Sequence, residues 1–104
     1  MKSDQAVTAL AALAQPTRLA IFRLLVEAGE EGLAVGSIGN AVGVAPTTLS
    51  FHLKTLAHAG LVDTQQDGRF IFYSANFETM FGLIGYLSED CCGGNMAACK
   101  PAGK

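Results

Sequence analysis

Charge is scarce in this chain of 104 residues: charged side chains make up 15% and the net charge is −2. A generic polyanion binder, which works through massed Lys and Arg, is therefore excluded. If the chain contacts nucleic acid, its cations must act locally, from Arg18, Arg23, Lys54 and Arg69. Cysteine is also scarce. The three cysteines are an odd number and all lie in the last fourteen residues, which excludes a disulfide framework spread through the fold. That distribution fits a reducing, cytoplasmic compartment and a local thiol site. No apolar run is long enough to span a bilayer, so no membrane partner is expected. Ala6 to Ala14 is apolar and ends Ala-Leu-Ala, like a cleavable secretion signal, but Asp4 and Gln5 interrupt its charged start and it reads better as a helix. Half the residues are hydrophobic, enough for the core of one domain, though a chain of this size gains much from dimerisation.

What is present is organised around Val35 to Ala59, which reads as two short helices joined by a tight bend. Val35, Ile38 and Val42 share one face of the first. Gly43 permits the bend, because a residue without Cβ takes positive φ cheaply. Pro46 suits the first turn of the second helix. There Leu49, Leu53 and Leu56 recur at helical spacing and form one stripe for burial. Thr47, Phe51, Lys54 and His58 lie opposite, with Thr48 and Ser50 on the flanks. Hydroxyls and Lys suit phosphates and base edges, and an aromatic ring suits thymine methyls, so this face fits a recognition helix in the DNA major groove.

Before that pair, a first helix is expected from Asp4 to about Ala14, capped by Ser3, with Val7, Leu10, Ala11 and Ala14 facing the core. Pro16 opens a second helix, Thr17 to about Ala28, with Leu19, Phe22, Leu25 and Val26 inward and Ile21 and Leu24 widening the face. Leu33 can make a one-residue bridge to the later hairpin. Ala34 is a poor cap for the next helix, and Gly36 and Gly39 weaken it, so either packing sustains that helix or its contacts demand small residues. After Gly60, Asp67-Gly68 marks a hairpin turn between arms Leu61 to Gln65 and Arg69 to Tyr73. Helix, turn, helix and hairpin together make a winged helix, with Arg69 at the tip for phosphate or minor-groove contact.

Asn76 can cap a last helix, Phe77 to about Cys92. Its apolar residues (Phe77, Met80, Phe81, Leu83, Ile84 and Leu87) lie on more than one side, which calls for two neighbours. We therefore expect a mainly α winged helix-turn-helix with a small β-hairpin wing, forming a homodimer through its first and last helices. Such a dimer sets two recognition helices about one DNA turn, roughly 34 Å, apart. The domain is expected over residues 1–92, with a tail, 93–104, carrying part of the thiol site.

Leu13-Ala14-Gln15-Pro16-Thr17-Arg18-Leu19, Ile21 to Leu25, Ser50-Phe51-His52-Leu53-Lys54-Thr55-Leu56, Ala59-Gly60-Leu61-Val62 and Gly68-Arg69 leading to Tyr73 follow one another in order. Over about residues 8 to 75 this text resembles the ArsR/SmtB-type bacterial metal-sensing repressors. The resemblance implies a dimeric winged helix that binds operator DNA and releases it when an effector binds, not an enzyme and without an organic cofactor. His52 matches a His in the family's pattern and is counted among the DNA-facing residues, with Thr47, Thr48, Ser50, Phe51, Lys54 and Arg69, in a structural or DNA-proximal role. Two effector sites used in the family are excluded by ligand count. Val35 to Ser50 holds no cysteine, and the last helix holds no His.

The remaining candidate is Cys91, Cys92 and Cys99. On a regular helix adjacent residues point about 100° apart, so the vicinal pair needs the following glycines to turn the chain and bring Cys99 back. Three thiolates without a fourth ligand make a poor structural zinc site. Soft thiolates favour thiophilic ions, and a three-thiolate pyramid is what As(III) or Sb(III) takes. The cluster looks like that of family members that sense arsenite at the end of the last helix. The expected function is thus repression of an arsenic-resistance operon. The rivals are a thiol redox-sensing repressor of the same fold and a thiol-dependent oxyanion reductase. Against the reductase, no oxyanion cradle, general base or Gly-rich phosphate loop accompanies the cysteines.

Overall fold

Pro16 and Pro46 each open a helix, where a missing backbone N–H leaves no bond unmade. The computed structural model describes residues 1–94, in the order α1 (Ser3–Leu13), α2 (Pro16–Ala28), β1 (Leu33–Ala34), α3 (Val35–Val42), α4 (Pro46–His58), β2 (Val62–Asp67), β3 (Phe70–Ala75) and α5 (Phe77–Leu87), followed by a single 3-10 turn, Cys91–Gly94. The strands form one antiparallel sheet in the order β1-β3-β2. Leu33 pairs with Tyr73 and Ala34 with Phe72, so the expected bridge is two residues long. This is the winged helix-turn-helix expected from the sequence.

Ile21, Leu25, Ile38, Leu49, Leu53, Leu56 and Leu61 are the large side chains at the centre of the core. They come from α2, α3, α4 and the residue leading into the wing. Local chemistry sets the ends of these elements. The Gln15 side chain accepts the Arg18 N–H at 2.8 Å and caps α2. The Asn76 side chain accepts the Thr79 N–H at 2.9 Å and caps α5 as expected. Helix α4 ends in a Schellman arrangement: Gly60, at φ +78°, donates to Ala57 O at 3.0 Å, and Leu61 donates to Leu56 O at 3.0 Å. Leu56 and Leu61, the two side chains this motif brings together, are both fully buried.

Five expectations are corrected. Ser3 does not cap α1: it is the first helical residue, and Lys2 holds the cap position, where its backbone N–H donates to the Gln5 side chain at 2.7 Å. The face that α1 buries is Ala6, Ala9 and Ala12, not Val7, Leu10, Ala11 and Ala14, all of which are exposed. Helix α1 packs against α2 and α4, whose larger side chains already fill the core, so methyl-sized residues let the backbones approach. Leu19 likewise turns outward on α2, and Ile21, placed at the margin by periodicity, is fully buried. The hairpin register pairs Asp67 with Phe70, so the two-residue turn is Gly68-Arg69 rather than Asp67-Gly68. Only Gly68 has positive φ there, at +63°, the demand of a turn with Gly first. Finally, α5 stops at Leu87, five residues short of Cys92. Ser88 follows it and donates its hydroxyl to Ile84 O at 2.9 Å. Of the expected tail, residues 93–94 are described. Cys99 lies outside the described residues.

Candidate nucleic-acid interface and thiol site

The bend before α4 is built as Gly43 permits. Its φ is +71°, and its N–H and that of Val44 both reach Gly39 O, at 2.8 and 3.3 Å. Leu49, Leu53 and Leu56 then pin α4 to the core, which turns the opposite face to solvent. Thr47, Thr48, Ser50, Phe51 and Lys54 are all exposed, and Phe51 is exposed by 66% despite its aromatic ring. Four of them, Thr47, Ser50, Phe51 and Lys54, line one shallow depression of about 450 Å³ with Pro46. Hydroxyls, one ammonium group and a bare ring on a rigid helix make a surface for the floor and walls of a groove. Arg69 is also exposed, at the tip of the β2–β3 hairpin and so on a separate element from α4.

His52 is the exception among the seven. It is only 8% exposed, on the core side of α4, and its Nδ1 stands 3.4 Å from Arg18 Nη1. Of the two roles expected for His52, structural or DNA-proximal, its burial favours the structural one: a side chain held inside the fold offers no atom to a groove. Arg18, read from the sequence as one of the local cations for DNA, is engaged as well. Its Nε donates to Ala12 O at 2.6 Å. Phe70 and Ile71 are exposed apolar residues on the wing that the pattern did not single out. Phe70 to Tyr73 is an unbroken apolar run, which hides the two-residue alternation that would have marked the outward pair.

The vicinal cysteines, of which Cys92 is disulfide-bonded, do not sit on α5. Asp90 and Cys92 take positive φ, +54° and +55°, so the backbone turns sharply at both positions. This departure brings Cys91 Sγ and Cys92 Sγ to 3.7 Å, which the divergence of adjacent helical side chains would oppose. Among the described residues no group of three His, Cys, Asp or Glu side chains is placed to hold a metal ion.

Residues 13–65 match the model of the helix-turn-helix domain. The chain is 38% identical over 80 residues to the nodulation protein NolR of Rhizobium meliloti, an alignment that spans 77% of this chain and 63% of that protein. The crystal structure of NolR from Sinorhizobium fredii superposes with a TM-score of 0.67 at 38% identity, covering 84% of each chain. The solution structure of a homodimeric winged helix-turn-helix DNA-binding domain from Mycobacterium bovis, described as a possible ArsR-family transcriptional regulator, superposes with a TM-score of 0.68 at 29% identity, covering 88% of this chain and 85% of that one. The chain belongs to the helix-turn-helix domain family, as a winged-helix transcriptional regulator of the ArsR/SmtB type and not an enzyme.

Proposed function

We propose that the protein is a homodimeric, cytoplasmic repressor of an arsenic-resistance operon, released from its operator when As(III) or Sb(III) is gripped by Cys91, Cys92 and Cys99. The observation that carries this reading is the 3.7 Å separation of the Cys91 and Cys92 sulfurs. Cys92 is disulfide-bonded in this structure; once it is reduced, two thiolates sharing one thiophilic ion at a metal–sulfur distance of about 2.3 Å would stand roughly 3.5–4 Å apart, a separation the pair already has. Cys99 would supply the third sulfur. The positive φ values at Asp90 and Cys92 support a segment shaped by something other than helix continuation.

DNA binding in this reading uses Thr47, Thr48, Ser50, Phe51 and Lys54, with Arg69 on the wing. A dimer presents that set twice. Its support is an apolar surface on the two helices expected to form it: Val7 and Leu10 on α1, and Phe81, Ile84 and Leu87 on α5, are all exposed. A monomer rarely leaves so much apolar surface bare. The homodimeric M. bovis domain supports the same assembly. No single helix among the described residues is long and apolar enough to cross a membrane. Effector binding beside the end of α5 would bias the dimer contact and with it the spacing of the two recognition helices. A coupling of about 1–3 kcal/mol is the usual size of such an effect.

The test is a DNA-binding titration with a duplex selected by the protein from a random pool. Arsenite is expected to weaken binding about 5- to 150-fold, and Cys91→Ser and Cys92→Ser to abolish that response while leaving arsenite-free affinity intact. Release by peroxide with no response to arsenite would instead identify a redox switch.

A further inference from the structure

We propose that Arg18 and His52 are a positioning pair for DNA binding, which holds the recognition helix in its working orientation only while the His52 ring is neutral. The inference rests on DNA binding by the fold and not on the identity of the effector.

A guanidinium group only donates. Across the 3.4 Å contact between Arg18 Nη1 and His52 Nδ1, the imidazole nitrogen must therefore accept. The single ring proton then belongs on Nε2, and the ring is uncharged. The same guanidinium donates Nε to Ala12 O at 2.6 Å. That carbonyl lies in the last turn of α1, where no helical N–H remains to satisfy it. The Arg18 backbone N–H is in turn fixed by the Gln15 side chain at 2.8 Å. One arginine thus ties the end of α1, the first turn of α2 and the middle of α4. His52 follows Phe51, the exposed ring of the DNA-facing surface, and precedes Leu53 of the buried stripe.

The tie contains no carboxylate. The elements packed against α4 carry Asp4 (α1, with Lys2 just before it), Arg18, Arg23 and Glu27 (α2), and Asp63 and Asp67 (β2), while α3 carries no charge; α4 itself adds Lys54 and His58. Of these, Arg18 is the one bonded to the His52 ring. A proton added at Nδ1 removes the acceptor and sets two cations face to face in a buried place. The Leu stripe keeps α4 on the core, so the fold survives. What is lost is the lateral tie that aims Thr47, Ser50, Phe51 and Lys54.

The sign of the pH effect separates this role from direct contact. A His that touched phosphate would bind DNA more tightly in acid, by adding a positive charge at the contact. The positioning pair makes acid weaken binding. His58 is exposed on the same helix and would add a tightening of its own, so every protein in the test carries His58→Gln.

The experiment is fluorescence anisotropy with a duplex selected by the protein from a random pool, read at about pH 8 and at about pH 5.5. Affinity of the parent is expected to fall about tenfold on acidification. His52→Asn sets an amide oxygen near the place of Nδ1; it should bind within about threefold of the parent at the alkaline end and lose most of the pH slope. Arg18→Lys keeps the charge but not the fork, and should bind about tenfold more weakly at the alkaline end. An affinity that rises in acid, a His52→Asn protein that keeps the parent's slope, or an Arg18→Lys protein that binds like the parent would each overturn the proposal. No arsenical enters the experiment, so its failure is distinct from failure of the effector assignment.

Discussion

Helix α4 buries Leu49, Leu53 and Leu56, whereas α5, the more apolar of the two, buries only Leu83 and leaves Phe81, Ile84 and Leu87 in solvent. Their surroundings explain the contrast. Helix α4 is packed by α1, α2, α3 and β2, while α5 touches α1 and lies at the edge of the fold. Apolar content thus says that a face will be covered, but not that its own chain will cover it. On α4 the stripe is used internally, which frees a polar face for a ligand. On α5 the internal side is satisfied by Leu83 with half-buried Phe77, Met80 and Tyr86, and a second apolar side remains for a partner. The same division appears on α1, where alanines face inward and Val7, exposed by 62%, faces out.

The contrast can be broken most directly at Leu53. Leu53→Ala removes a side chain from the packed centre and is expected to lower unfolding stability by about 2–5 kcal/mol, read from urea denaturation. Ile84→Ala on α5, in protein diluted to monomer, should change it by less than about 0.5 kcal/mol. Equal losses at the two sites would mean that α5 belongs to the core after all.

Next in size is the effect on assembly. Ile84→Glu sets a charge in the middle of the exposed apolar side of α5. We expect the dimer dissociation constant to rise about 100-fold, or nearly 3 kcal/mol, with helical content by circular dichroism unchanged. Sedimentation at equilibrium reads this directly. A variant that stays as dimeric as the parent would move the interface away from α5.

The smallest effect concerns the glycines of α3, and it sharpens the choice between packing and small-residue demand. A Cβ on Gly36 would meet nothing within 4 Å, whereas one on Gly39 would come 3.2 Å from Leu49 Cδ2. Gly36→Ala is therefore expected to gain about 0.5–1 kcal/mol from helix propensity. At Gly39 the same gain is offset by pressure on Leu49, leaving no gain or a small loss. Thermal melts of the pair decide it, since equal gains would show that Leu49 gives way without penalty.

Much of the fold was legible because its punctuation is local. Pro16, Gly43, Pro46, Gly60 and Asn76 each act through their own backbone preference or through a neighbour three or four residues away, and all five stand where expected. The exposed face proposed for DNA was legible for a related reason: once Leu49, Leu53 and Leu56 are taken as the buried stripe, helical geometry puts Thr47, Phe51 and Lys54 opposite. His52 was not separable from that set by spacing. Its burial depends on Arg18, thirty-four residues earlier in the chain, and no local pattern records so distant a partner. The wing turn slipped by one residue because pairing along β2 and β3 sets the register, and the Asp-Gly preference is weaker than six paired positions.

The amino-acid sequence by itself determined the order of the elements, the Asn76 cap, the bend at Gly43 and the stripe that fastens α4, because those features depend on φ preference and on contacts within one or two turns. Tertiary structure alone decided which face of α1 is inside, that α5 ends at Leu87 rather than at the cysteines, and that Cys91 and Cys92 meet off the helix. Those outcomes depend on which surfaces compete for the same space, and that competition is settled only when distant parts of the chain are packed together.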